Sequence, residues 1–294
     1  MASLSQWVAG ARPRTLPAAV APVVLGTAAA HLIGAADLAL AVLALLVALS
    51  LQVGVNYAND YSDGVRGTDE ARVGPVRLVG QRLAAPTTVR LAAFLSFAVA
   101  GLVGLTLVAI SRAWVMLPLG ALAVVAAWRY TGGENPYGYR GLGELYVFVF
   151  FGLLATLGTL YTQAGELTWF ALLGAVGVGA VASAILVANN LRDIPTDAEH
   201  GKRTLAVRLG DRRTRLLYVG LVAVSLVMLV GMAFWEPWVL LGLLGAPLGV
   251  RAVRTVLGGA GGRDLVPVLA ATGLYEVAYA VLVAVGVIIG VARA

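Results

Sequence analysis

The chain has 294 residues, 60% hydrophobic and 12% charged, a balance that excludes a soluble globular domain and marks an integral membrane protein. With no cysteine and only two histidines, His31 and His200, it has no disulfide, no thiol nucleophile and no histidine-rich metal centre, so any bound metal is hard and held by oxygen. The net charge of +6 is spread between apolar spans without an aromatic-interleaved patch, which excludes nucleic acid as the partner.

Taken in chain order, apolar runs of spanning length are predicted at 16–33, 38–55, 89–110, 113–128, 145–163, 169–189, 216–234, 237–256 and 265–291, which makes nine transmembrane helices. Arg12 and Arg14 precede the first run, and no small-residue cleavage site follows it, so it is predicted to be retained. The fourth run is short. The eighth carries Arg251 and Arg254, which must snorkel from its end. Of the 21 Lys and Arg, only Arg112 and Arg293 fall in the odd-numbered loops or at the C-terminus, so the N-terminus and the even loops are expected to face the cytoplasm.

Where the second run ends the sequence reads NYANDYSDGVRGTD, with Asn56, Asn59, Asp60, Asp63 and Asp69. Asn59 and Asp63, four residues apart, project from one face of a helix. After the sixth run comes NNLRDIPTDAEHGKRT, where Asp193 and Asp197 repeat that spacing. Aligning Asp63 with Asp197 also aligns Asn59 with Asp193 and Gly67 with Gly201. The chain is therefore expected to be a single domain over 1–294, a parallel four-helix unit used twice (about 1–130 and 131–256) plus a ninth helix at 265–291, around a central cavity. Both acidic clusters would meet at one mouth, capped by 67–89 and 201–216.

Carboxylates this close repel unless cations compensate. Mg²⁺ prefers one or two carboxylates plus phosphate oxygens, which two such clusters around a diphosphate would satisfy. The metal candidates are Asn59, Asp60, Asp63, Asp69, Asp193 and Asp197. The interleaved basic residues are Arg66, Arg72, Arg77, Arg192, Lys202 and Arg203. Most positive-inside arginines only set topology, but Lys202 and Arg203, just past Asp197, are well placed to neutralise phosphate. The fourth loop carries Arg129, Tyr130, Tyr137, Tyr139, Arg140 and Glu144: an interfacial belt, or an aromatic wall whose π faces stabilise a cation. Glu276 lies inside the last run, where structural hydrogen bonding within the bundle is expected. The 36 glycines suit close helix packing.

These residues resemble the UbiA-type intramembrane prenyltransferases, and within them the naphthoate branch of menaquinone biosynthesis. The first motif is similar to the family's Asn-x-x-x-Asp pattern at Asn59 and Asp63, with the third acid at Asp69 in the wider spacing of the naphthoate branch; where other members place it, this chain has Gly67. Asp193 and Asp197 match the second motif, and ARPRTLP near Arg12, YTGG and PYGYRGLGE around Tyr130 to Glu144 also resemble that branch. The resemblance covers nearly the whole chain. It implies a nine-helix bundle with a lipid-accessible cavity, in which two Mg²⁺ ions bridge the aspartates and a polyprenyl diphosphate, and 1,4-dihydroxy-2-naphthoate is prenylated with loss of CO₂ and diphosphate to a demethylmenaquinol. On that basis Asp63, Asp69, Asp193, Asp197 and Tyr139 are expected to be catalytic, with Tyr137 or Tyr139 assisting ring deprotonation or shielding the cation. Arg72, Arg77, Lys202 and Arg203 are expected to bind diphosphate, and Arg14, Asn56, Tyr130, Tyr137, Asn189 and Asn190 the acceptor. Two other readings compete: a related enzyme with a phenolic or lipid-glycerol acceptor, and a cation or metabolite transporter, which would place acids at the bilayer midplane within inverted repeats.

Overall fold

Within a bilayer a backbone must satisfy its polar groups inside the segment, so Ala-, Leu- and Val-rich runs close into helices. The computed structural model describes residues 2–67 and 76–293, and every regular element among them is helical. In order these are α1 (Leu4–Gly10), α2 (Pro17–Leu32), α3 (Leu38–Arg66), α4 (Pro86–Ser111), α5 (Met116–Arg129), α6 (Gly143–Ala164), α7 (Trp169–Glu199), α8 (Leu205–Met232), α9 (Pro237–Leu257) and α10 (Val266–Val291).

Among the described residues seven helices are long and apolar enough to cross a membrane, or eight if Leu4–Thr15 and α2, bent by 51°, count as one span. The fourth predicted run is short, as its sequence suggests: α5 has 14 residues, or about 21 Å against a hydrocarbon thickness of about 30 Å. The bend before α2 comes from Arg12, whose φ of 54° stops α1 from continuing into the apolar run.

The bundle is organised around α7. In its apolar window 72% of residues are buried, against 28% in α3 and α4, and the outer face of α4 presents Leu91, Leu95, Leu102 and Ile110 to lipid. The main core joins residues of α2, α7, α8 and α10, including Leu25, Val178, Tyr218 and Tyr275. α6 and α7 meet through Gly152 and Gly179: a Cβ on Gly152 would lie 2.5 Å from the Gly179 Cα, so the contact requires two residues without side chains. A π-helical stretch, Phe148–Leu154, widens α6 at this level. Glu276 is fully buried, but neither carboxyl oxygen has a partner among the described residues, contrary to the hydrogen bonding expected of it.

α3 and α7 outrun the bilayer. Their 29 and 31 residues extend about 44 and 46 Å, leaving about a third of each beyond a hydrocarbon core of about 30 Å. Both C-terminal ends carry the polar motifs. Both are followed by a glycine at positive φ, Gly67 at 76° and Gly201 at 71°, four residues after Asp63 and Asp197.

Candidate active site

The last turns of α3 carry Gln52, Asn56, Asn59, Asp60 and Asp63, all buried, at spacings that keep them on one stripe of the helix. Asn59 Oδ1 accepts from Thr131 Oγ1 at 2.8 Å, and Asp63 Oδ1 accepts from the Tyr139 hydroxyl at 2.8 Å. Arg66 donates to the carbonyls of Thr131 and Gly133. These contacts tie the end of α3 to the 130–140 loop.

At the end of α7 the chain reverses through Gly201, and the Lys202 N–H donates to the Asp197 carbonyl at 2.8 Å. The reversal sets the Lys202 ammonium 3.6 Å from Asp197 Oδ1 and 5.1 Å from the Tyr139 ring centre. Arg66 sits 5.3 Å from the same ring. Tyr139 therefore joins the two polar ends, with its hydroxyl on Asp63 and its ring under Lys202. The Arg203 N–H fastens the Tyr139 carbonyl at 3.1 Å.

Beside this junction opens a cavity of about 1680 Å³, larger than the roughly 300–1,000 Å³ usual for small-molecule pockets. Asn56, Asn59, Asp63, Arg77, Asn190 and Lys202 line its polar mouth. Its body, between α3, α4, α5 and α6, is apolar, with Val47, Leu51, Leu105, Met116, Phe150 and Leu154. An aromatic series borders the mouth: Tyr130 meets Tyr137 edge-on at 5.5 Å, and Tyr137 stacks on Tyr146 at 3.8 Å. Burial, followed by Tyr130 and Tyr146, pushes the Tyr137 phenol well above its ordinary pKa, which favours its neutral, hydrogen-bonding form.

Several of the expected site residues make their contacts away from the cavity or through the backbone, and others border it. Both Asp60 oxygens accept backbone amides, Leu78 N at 2.7 Å and Val79 N at 3.0 Å, so its carboxylate anchors a turn and does not border the cavity. Arg203 is exposed and reaches the site only through its backbone. Asp193 is clamped by the adjacent Arg192, Nε to Oδ1 at 2.7 Å and Nη2 to Oδ2 at 2.8 Å, and lies behind the cavity wall. Asn56 donates to the Ala11 carbonyl and to Thr15 Oγ1, fixing the bent N-terminal segment that brings Arg14 to the cavity. Asn189 lines the cavity and accepts from Arg192 at 2.9 Å. Asp69 and Arg72 lie outside the described residues. Sequence reasoning missed Gln52, Thr131 and the clamping role of Arg192. Gln52 was detectable, since it lies one turn before Asn56 inside an apolar run; Thr131 was not, because its partner is 72 positions away.

The family model described as the UbiA prenyltransferase family matches residues 19–264. Over 284 residues the chain is 57% identical to the 1,4-dihydroxy-2-naphthoate octaprenyltransferase of Mycobacterium tuberculosis, covering 97% of each chain. It is 40% identical to the protein of the same name from Escherichia coli, over 89% of this chain and 86% of that one. Two solved structures have a similar fold: a UbiA homolog from Aeropyrum pernix K1 (TM-score 0.69, 14% identity, 98% and 99% coverage) and one from Archaeoglobus fulgidus bound to DMAPP and Mg²⁺ (0.66, 13%, 97% and 99%). With the family match spanning most of its length, the chain belongs to the UbiA prenyltransferase family.

Proposed function

We propose that this chain is a multi-pass membrane enzyme that transfers a polyprenyl group from polyprenyl diphosphate to 1,4-dihydroxy-2-naphthoate, with loss of diphosphate and CO₂, giving demethylmenaquinol. The observation that carries this reading is the cavity, a polar mouth of amides, acids and cations opening on a long apolar body. Such a shape takes a ligand that is anionic at one end and hydrocarbon at the other. The acceptor named for the relative at 57% identity supports the choice of naphthoate.

The donor set fits Mg²⁺. Mg²⁺ prefers one or two carboxylates, water and phosphate oxygens to an all-protein cage. Asn59 and Asp63 on α3 and Asp197 on α7 would hold it, with Asp193 behind them. When bound, it draws negative charge from the leaving diphosphate.

The chain's own groups do the rest. Lys202 and Arg77 offer charge-assisted donors to phosphate oxygens. The apolar body buries the prenyl tail and keeps water from the allylic carbon after its C–O bond breaks. The faces of Tyr130, Tyr137 and Tyr146 border the space where that carbon carries positive charge. The electron-rich naphthoate ring then attacks it, and departure of CO₂ returns the bonding pair to the ring. We place the active site at the cytoplasmic leaflet of a nine-helix bundle built from two parallel four-helix units, supported by the charge asymmetry of the loops and the matched ends of α3 and α7.

Full-length protein in lipid nanodiscs, given polyprenyl diphosphate, 1,4-dihydroxy-2-naphthoate and Mg²⁺, is expected to release one CO₂ per diphosphate and to stop when EDTA is added. Prenylation of only a phenolic or glycerol acceptor would replace the naphthoate assignment. Ion flux without diphosphate consumption would replace the enzyme.

A further inference from the structure

Glu144 opens α6 just behind the cavity wall and belongs to neither acid pair. It is buried, and its Oε1 accepts from Asn190 Nδ2 at 2.9 Å. Ser183 on α7 donates to its backbone carbonyl at 3.2 Å, holding the start of α6 in place. Its Oε2 is buried with no donor among the described residues. Asn190 borders the cavity and Glu144 does not.

A carboxylate only accepts hydrogen bonds, whereas a carboxamide has a donating end and an accepting end. Glu144 therefore decides which end Asn190 shows to the cavity: the NH₂ turns back to the acid and the carbonyl oxygen turns forward. The neighbouring amide is set the opposite way, since Asn189 Oδ1 is occupied by Arg192 and its NH₂ remains. Two adjacent asparagines thus present opposite polarities, one accepting and one donating. A hydroxylated aromatic acid carries both hydroxyl donors and carboxylate acceptors.

We propose that Glu144 is a positioning residue that locks the Asn190 carbonyl toward the cavity, where it accepts a hydrogen bond from a ring hydroxyl of the aromatic acceptor. This rests on the prenyltransferase reading above. A bond accepted from the hydroxyl also enriches the ring carbon that attacks, so one contact both orients and activates the acceptor.

The test measures equilibrium binding of 1,4-dihydroxy-2-naphthoate and of its 1,4-dimethoxy analogue to full-length protein in nanodiscs, alongside KM for each substrate. Glu144→Leu is expected to weaken hydroxylated acceptor binding about tenfold, to leave binding of the dimethoxy analogue and the prenyl diphosphate KM unchanged, and so to erase most of the preference between the two naphthoates. Glu144→Gln keeps an oxygen opposite the Asn190 NH₂ and is expected to recover most of the lost affinity. Asn190→Leu, with Glu144 intact, should show the same flattened preference. The proposal is overturned if Glu144→Leu or Asn190→Leu keeps the wild-type preference, if donor and acceptor binding fall together, or if Glu144→Gln is as impaired as Glu144→Leu. Wild-type protein that neither binds nor prenylates the naphthoate counts against the functional reading; wild-type activity with a preference insensitive to both residues counts against the positioning role alone.

Discussion

Asp63→Asn lowers kcat by roughly a hundredfold to a thousandfold, the range seen when a group that stabilises developing charge is removed, in a protein that still inserts and melts like the wild type. The two effects separate because of what Asp63 touches. Asparagine retains an oxygen to accept the Tyr139 hydroxyl, which at 2.8 Å is one of the ties between α3 and the loop, so the fold keeps its contact. What is lost is the negative charge at the cavity mouth, which neighbouring Asn59 cannot supply. Single-turnover prenyl transfer and thermal unfolding of the same sample check this. Near-normal turnover in the variant would remove Asp63 from the cation site.

Asp60→Ala is expected to act in the reverse order, first on stability. Its carboxylate sits at 0% exposure and satisfies the amides of Leu78 and Val79. Alanine leaves both amides without that partner in a buried site, costing about 2–5 kcal/mol. The turn it releases carries Arg77, so the KM for prenyl diphosphate should rise about tenfold with the loss of a charged contact. A lower unfolding midpoint together with new proteolysis near Leu78 is the expected result. A variant as stable as the wild type would mean that Leu78 and Val79, packed against Tyr57 and Ala58, hold the turn without the acid. These outcomes together would show two aspartates three positions apart doing different work, one for the reaction and one for the scaffold.

The different contacts of Asp60 and Asp63 were hidden in the sequence. Asp60 and Asp63 sit in one acidic run, and only the fold brings the amides 18 and 19 positions further on to Asp60. Arg203 misled similarly, since its closeness to Asp197 along the chain says nothing of its outward side chain. The motif spacing, by contrast, was informative because it is local. Asn59 and Asp63 share a helix face as four-residue spacing dictates, and Gly67 and Gly201 both close their helices at positive φ. Apolar runs located the long helices and already showed the fourth to be short, yet composition could not show that Arg12 breaks the first span. A central cavity was expected from the duplicated motif, but which residues line it follows from packing that no run reveals.

A structure of the full chain with Mg²⁺ and an uncleavable prenyl thiolodiphosphate is the most direct measurement. The diphosphate should lie between the Asn59–Asp63 end of α3 and the Asp197–Lys202 turn of α7, with the tail among Leu51, Leu105 and Phe150. A diphosphate bound at the opposite leaflet, or a tail lying outside the cavity, would contradict it.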